Sequence, residues 1–410
     1  MLGSSPSKTR AKLNSEISML NFLRNLRGAA APDQKRSRVG PLIALHEAGR
    51  PVWTPRDYAA LAREGYERNP VVHRCVRLIA EAAAQMPLVA RVGTREQPDH
   101  PALTLIDRPN PRQGGIAFRE MLYGHLLVAG NAYVEAASVG AEPRELYALR
   151  PDRMRIVPGR DGWPEAYDYT VGGDTVRFRQ DEGGVPPILH LTLFHPVDDH
   201  YGLSPIEAAA CSLDIHNAAS NWHKALLDNA ARPSGALVYD GPDGASLTEA
   251  QFERLKGELE ESFQGARNAG RPLLLEGGLD WKPLSLTPAE LDFVAAKGVA
   301  AREIALAFGV PPLLLGLPGD NTHANFAEAN RAFWRQTAIP LVRRTVQSLA
   351  QWLGPAFGDD LMLEPDLDAI EALAEERESL WRRVGAADFL SADEKREAVG
   401  YGRLRTEATS

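Results

Sequence analysis

The sequence predicts an α+β protein: a mixed α/β region, then two long helices around a small β-α-β-β insert, then a short helical tail. Three observations carry this reading. The same helix-opening device occurs twice, at Ser204-Pro205-Ile206-Glu207 and at Thr287-Pro288-Ala289-Glu290. Each offers a hydroxyl N-cap, a proline at the first helical position and a glutamate able to close a capping box. The helical runs that follow are long: one to about Asn229, the other to Phe308, where Gly309 and Pro311-Pro312 stop it. At 1.5 Å per residue they predict rods of roughly 38 Å and roughly 31 Å. Finally, residues 232–286 alternate strand and helix signals between the two rods.

Taken in order, residues 1–53 form an arm whose first forty positions carry Lys8, Arg10, Lys12, Arg24, Arg27, Lys35, Arg36 and Arg38 against Glu16 and Asp33 alone. The arm reads as basic and flexible, with Ile17, Leu20, Leu23 and Leu26 at helical spacing. Its composition also fits a transit peptide, and Met19 also reads as a chain start. Thr54-Pro55-Arg56-Asp57 opens one helix, and Asn69-Pro70 opens a second with Val72, Cys75, Val76, Ile79, Ala83 and Met86 on its apolar face. A strand at 88–92 and a turn at Pro109-Asn110-Pro111 lead to a helix marked by Phe118, Leu122, Leu126 and Ala129. Strands are expected at 132–137, 145–149 and 154–157, then at 167–171 and 175–179 around the hairpin signal Gly172-Gly173, and at 188–193.

Within the insert, strand 235–239 precedes a helix capped by Thr248 with Gln251, and strands follow near 273–275 and 280–284. Beyond Gly309 comes a Gly- and Pro-rich loop without Lys or Arg. Asn325 and Glu328 cap the next helix, which kinks at Pro340 and ends at Trp352-Leu353. A strand at 361–363, a helix at 370–384 and a short helix opened by Ser391 and Glu394 complete the chain. The second rod carries Ala295, Ala296, Gly298, Ala300, Ala301 and Ala305, small residues that let helices approach closely.

Composition narrows function. The chain is 44% hydrophobic with a formal net charge of −8, which opposes a surface that grips nucleic acid through general basicity. No run of 18 apolar residues is present, so no membrane span is expected. Cys75 and Cys211 read as two buried thiols in a reducing compartment. There is no phosphate-cradling G-x-x-x-x-G-K-[ST], no G-x-S-x-G and no CxxC. His46-Glu47 lacks a zincin's second histidine, and Asp240-Gly241-Pro242-Asp243-Gly244 lacks the later ligands of a calcium loop. The enzyme-like cluster is His190, His195, Asp198, Asp199 and His200, metal-ligand types near one another. It also reads as a solvated turn. His216 and His223 read as packing histidines on the first rod, and Phe326, Phe333 and Trp334 read as core.

Several stretches together resemble the portal proteins of long-tailed bacteriophages and of phage-like gene transfer agents. They are Asn69-Pro70-Val71-Val72-His73-Arg74-Cys75-Val76 with Ala84-Gln85-Met86-Pro87-Leu88, Gly130-Asn131-Ala132-Tyr133-Val134, and the run Leu146 to Asp152. Tyr201-Gly202-Leu203-Ser204-Pro205-Ile206-Glu207 resembles the entry to that family's stem. Phe308-Gly309-Val310-Pro311-Pro312 with the following leucines and Gly316, then Asn325-Phe326-Ala327-Glu328-Ala329-Asn330-Arg331-Ala332-Phe333-Trp334, is the most distinctive part. Asp393-Glu394-Lys395-Arg396-Glu397-Ala398 resembles the family's ending.

The resemblance implies a portal fold: wing 54–202, stem helices 203–231 and 287–309, clip 232–286, tunnel loop 310–325, a wing-completing helix and strand 326–368, and a short crown 369–410. It implies no enzyme and no cofactor. What it implies instead is a head-to-tail connector, a homo-oligomeric ring expected to be a dodecamer, assembled in the bacterial host cytoplasm and set at one capsid vertex of a virion or gene-transfer-agent particle. Double-stranded DNA would pass through it, held weakly and without sequence preference. The terminase large subunit, the major capsid protein and a head-completion adaptor would be its partners. Asp320, Asn321, Thr322 and His323 would face the DNA, offering exchangeable hydrogen bonds rather than a cationic brake, and Lys297 would line the stem lumen. The alternative is a soluble metal-dependent hydrolase using His190, His195 and His200.

Overall fold

The computed structural model describes residues 54, 57–180, 184–228, 235–239, 248–251, 253–254, 279–283, 293–318, 323–358 and 360–403. The chain divides into two compact units.

The larger unit begins with α1, a short α-helix at Tyr58–Ala60 that widens into π-helical turns at Leu61–Glu67. The Asp57 side chain caps it. Thr54, expected as the cap, instead donates its backbone N–H to Asp214 at 3.0 Å. α2 (Pro70–Gln85) opens as expected: the Asn69 side-chain oxygen accepts from Val71 and Val72, with proline at the first position. α3 (Pro101–Asp107) and α4 (Gly115–Ala129) follow, and α4 stops at Gly130, whose left-handed φ of 71° suits glycine.

Three antiparallel sheets form around these helices. β1 (Leu88–Val92) lies between β2 (Arg95–Glu96) and the late strand β11 (Leu361–Pro365). β3 (Asn131–Val139) lies between β4 (Glu142–Leu149) and β8 (Ile188–Thr192). β5 (Met154–Pro158), β6 (Pro164–Val171) and β7 (Asp174–Arg179) form a meander. Its β6–β7 turn is Gly172-Gly173, both at positive φ, as the hairpin signal predicts.

The first long helix is not continuous. α5 (Pro205–Ala208) ends at Ala209, and α6 (Ala210–Asp228) starts anew. α7 (Phe293–Ala307) is the described part of the second rod, and its expected start at Thr287 lies outside the described residues. After it comes a 3₁₀ turn at Pro312–Leu315. α8 (His323–Phe333) starts two residues before the expected cap Asn325, then passes through π-helical turns at Trp334–Ala338 into α9 (Ile339–Phe357). The irregularity expected at Pro340 therefore falls just before it: proline lacks the N–H that would close an ordinary turn. α9 does not end at Leu353 but continues through Pro355, because Trp352, Leu353 and Gly354 are buried and the Trp352 Nε1–H donates to Pro186 O at 2.7 Å. α10 (Ala374–Gly385) and α11 (Ala392–Ala398) close the unit, the latter with the Ser391/Glu394 capping box read from the sequence.

Two large cores hold this unit, beside a smaller cluster of Tyr133, Leu149, Met154, Ile156, Tyr167 and Ile188. One gathers α3, α4, β1, β3, α9 and β11 around Phe118, Leu122, Val342 and Leu349. The other joins α1 and α2 to the bases of the rods through Val72, Cys75, Ile79, Ile206, Leu213, Ile304 and Phe308. Ile79 has no solvent exposure, and truncating such a side chain costs about 2–5 kcal/mol.

The smaller unit comprises part of the insert. β9 (Gly235–Tyr239) pairs with β10 (Leu279–Pro283). The expected cap is present: the Gln251 side chain accepts from the Thr248 N–H at 3.0 Å. The strand near 273–275, the sequence Asp240 to Gly244, and the arm with His46, Glu47 and Met19 lie outside the described residues.

Candidate functional site

The two rods and the segments that seat them are the functional candidate. α6 and α7 pack side by side, and the Ser212 hydroxyl donates to Glu303 Oε2 at 2.5 Å. Of the small residues on α7, Ala300, Ala301 and Ala305 are buried, whereas Ala295, Ala296 and Gly298 are exposed. The exposed side carries Ala295, Val299 and Leu306 at helical spacing, with Val299 55% and Leu306 78% exposed and Arg302 between those two on the same face. α6 has a matching row in Cys211, Ile215 and Ala218. Cys75 is buried, and burial pushes its thiol up to about 12. Cys211 corrects the expectation of two buried thiols, because the outward face of α6 exposes it.

Three asparagines seat the rods. Asn69, 1% exposed, donates its amide N–H to Asn217 Oδ1 at 2.9 Å and to His216 Nδ1 at 3.0 Å. Asn217 in turn donates to Glu64 O at 2.9 Å. Asn131 ties sheet to rod: its Oδ1 accepts from the Gly202 N–H at 2.8 Å, and His190 Nε2 lies 3.0 Å away. Two residues on, the Ser204 hydroxyl donates to Leu127 O and caps α5. The Gly130–Gly202 approach is so close that a Cβ at Gly202 would lie 2.1 Å from Gly130 O. The sequence marks Asn69 as a cap and leaves Asn131 just before the strand expected at 132–137, and the roles of both in seating the rods join positions too far apart in the chain to be read locally.

The hydrolase cluster does not converge. His190 stacks on Tyr133 with ring centroids 4.3 Å apart, and burial together with nearby His200 holds its pKa down to about 3. His195 Nδ1 accepts from the Val197 N–H, and Asp198 accepts from the backbone of His200 and Tyr201. This is a self-bonded turn beside a cavity of about 340 Å³. Among the described residues no three His, Cys, Asp or Glu side chains are grouped to hold a metal ion, and no helix is long and apolar enough to cross a membrane. His216 is buried, and its pKa is lowered by burial and then by Lys297. Lys297 is half-buried on α7.

The loop after α7 is anchored at its start. Val310 is buried, the Thr337 hydroxyl donates to Gly309 O at 2.5 Å, and Arg302 donates to Pro318 O. Asp320, Asn321 and Thr322 lie outside the described residues, and His323 is placed only as the first residue of α8. Phe333 is core, at 2% exposure, and Trp334 packs against both cores. Phe326 corrects the sequence reading, being 50% exposed on α8. Arg331 and Arg335 pair with Glu375 and Glu376 of α10.

A family model described as phage portal protein matches residues 70–400. An uncharacterized protein of Rickettsia bellii is 41% identical over 83% of this chain and 89% of its own length. The portal protein of Enterobacteria phage HK97 is 29% identical over 70% of this chain and 67% of its own. A chain in the neck of a native gene transfer agent particle, computed with C12 symmetry, is 56% identical, with a TM-score of 0.65 over 87% of this chain and 97% of that one.

Proposed function

The chain belongs to the phage portal protein family, and we propose that it acts as a ring of identical protomers at one vertex of a gene-transfer-agent or phage capsid, with duplex DNA passing through the centre. The observation that carries this is the pair of outward, largely apolar stripes, Cys211–Ile215–Ala218 on α6 and Ala295–Val299–Leu306 on α7. Such stripes are covered when rods of neighbouring protomers stand side by side. A contact between two different faces closes into a ring when the rotation permits. The likeness to a neck chain computed with C12 symmetry supports twelve copies.

In this reading α6 and α7 are the stem, with Lys297 toward the lumen, and β9 and β10 belong to the clip. The clip would dock the terminase large subunit during packaging and a head-completion adaptor afterwards, and the wing would meet the major capsid protein. Asp320, Asn321, Thr322 and His323 would face the DNA. With a net charge of −8, the protein offers little general attraction to phosphates, which suits sliding over gripping.

Electron microscopy of the purified protein tests the ring. Twelve copies of a 44.8 kDa chain give a particle on the order of half a megadalton, with a central hole. A lone 44.8 kDa particle overturns the reading. Deleting residues 318–324 tests the loop: the ring should assemble but fill with or retain less DNA. Normal filling removes the loop's role.

A further inference from the structure

β11 is an edge strand whose open side is recessed in a cavity, and the opposite edge of the same sheet carries the end of the described chain. The sheet order is β11-β1-β2. Asp366 N–H donates to Pro87 O and Gly93 N–H donates to Asp360 O. In the register Leu88↔Pro365 to Val92↔Leu361, this parity turns the backbone groups of Met362 and Glu364 toward β1. Leu361, Leu363 and Pro365 therefore aim theirs away from the sheet. The Leu361 N–H donates to Gly358 O, and proline has none. One N–H, that of Leu363, and three carbonyls remain without a backbone partner among the described residues. They open into a cavity of about 660 Å³ between β11 and α9, lined also by Arg343, Gln347 and Ala350. A strand edge beside a helix is the geometry that accepts an added extended segment.

At the other edge, Arg403 N–H donates to Thr94 O at 3.1 Å and Gly402 N–H donates to Glu96 Oε1 at 2.7 Å. The chain thus leaves along the outer side of β2. Residues 404–410 follow: Leu404, Arg405, Thr406, Glu407, Ala408, Thr409 and Ser410.

We propose that residues 404–410 of one protomer add as a strand to the open edge of β11 in the next protomer, linking the sheets head to tail around the ring. The inference rests on the ring reading. Three features select this occupant. The donor edge and the acceptor edge lie on opposite sides of one sheet, as a contact between two different faces requires. Glu407 suits Arg343, an exposed cation at the cavity for which no carboxylate lies within ion-pair distance among the described residues. Length decides between the chain's own groove and a neighbour's. Seven residues span at most roughly 25 Å, and rounding their own three-stranded sheet uses roughly 20 Å of that at about 4.8 Å per strand, leaving too little to pair.

The test uses the full-length ring in a Cys211→Ser background. Met362→Cys is paired with Arg405→Cys, Thr406→Cys or Glu407→Cys, and rings are also assembled from mixed protomers carrying one cysteine each. The expected result is a disulfide-linked ladder from the double variants and covalent dimers from the mixed rings. Deleting 404–410 should speed exchange of the Leu363 amide at least tenfold. An intact ring with no linkage and unchanged Leu363 exchange overturns the proposal, as does linkage within one chain only. Loss of Leu363 protection on deleting residues 1–53, but not on deleting 404–410, gives the groove to the N-terminal arm and also overturns it. A protein that forms no ring at all overturns the ring reading first.

Discussion

The Asn69 side chain serves two elements at once: its oxygen caps α2 through Val71 and Val72, and its amide nitrogen lies 3.0 Å from His216 Nδ1 on α6. The capping bonds fix which way the amide points, so Nδ1 of His216 accepts and the neutral ring carries its proton on Nε2.

Asn69→Ala removes a cap, worth about 1 kcal/mol, and strands a buried imidazole nitrogen, worth about 1–3 kcal/mol. The expected loss is about 2–4 kcal/mol, read as a lower midpoint in denaturant titration. Asn69→Asp keeps the cap but loses the donor to His216, and should fall between.

His190 gives a pH signature. Its folded pKa, held at about 3, lies below the ordinary 6.5, so the unfolded chain binds a proton that the folded chain refuses. The stability from this site is complete above about pH 6.5 and is lost as pH falls toward 3. His216 is shifted in the same direction. His190→Gln should flatten the fall in unfolding free energy between pH 6.5 and the acid limit, measured by chemical denaturation at several pH values. An unchanged slope would remove His190 from the account.

Gly202→Ala should abolish soluble protein, because the new Cβ would lie 2.1 Å from Gly130 O and 2.6 Å from Leu193 N, both backbone atoms. Gly124→Ala is the control: a Cβ there meets nothing within 4 Å, and in a helix alanine should stabilise by about 0.5–1 kcal/mol. Soluble yield and thermal midpoint distinguish the two.

Leu306→Lys and Val299→Asp place charge on the outward stripe of α7. Each should shift native mass spectra from ring to protomer while leaving protomer unfolding within about 0.5 kcal/mol of the parent. Rings of unchanged abundance would mean that the stripe faces something other than a neighbour.

Arg331 of α8 and Arg335 of the π-helical turns after it reach α10 through the exposed Glu375 and the half-buried Glu376. Replacing both with alanine should cost about 1 kcal/mol or less per pair, and the cost should shrink in high salt. A larger, salt-insensitive loss would show that packing of the arginine stems, not charge, holds the two helices.

What was legible in the sequence was what local chemistry decides. Asn69-Pro70, Ser204-Pro205 and Ser391 with Glu394 announce helix starts, and Gly172-Gly173 announces a hairpin. Each works through atoms within three residues of itself. The break at Ala209 carries no Gly or Pro; it arises where Ile206 is buried and Ser204 is held to Leu127, contacts across some eighty residues. α9 runs through Pro355 because Trp352 is pinned to Pro186. Asn131 joins His190 and Gly202, and neither partner is near it in sequence. The exposure of Cys211 and Phe326 was hidden for a different reason: apolar residues on helices read as core whether they are covered by their own chain or by another molecule.

The π-helical turns at Trp334–Ala338 between α8 and α9 hold one residue more than ordinary winding would. That surplus sets the compass bearing of α8. Excising a single residue there would let the coil tighten and swing α8, with Phe326, by about 100° around the axis, so the aim of that helix is stored in one extra amino acid.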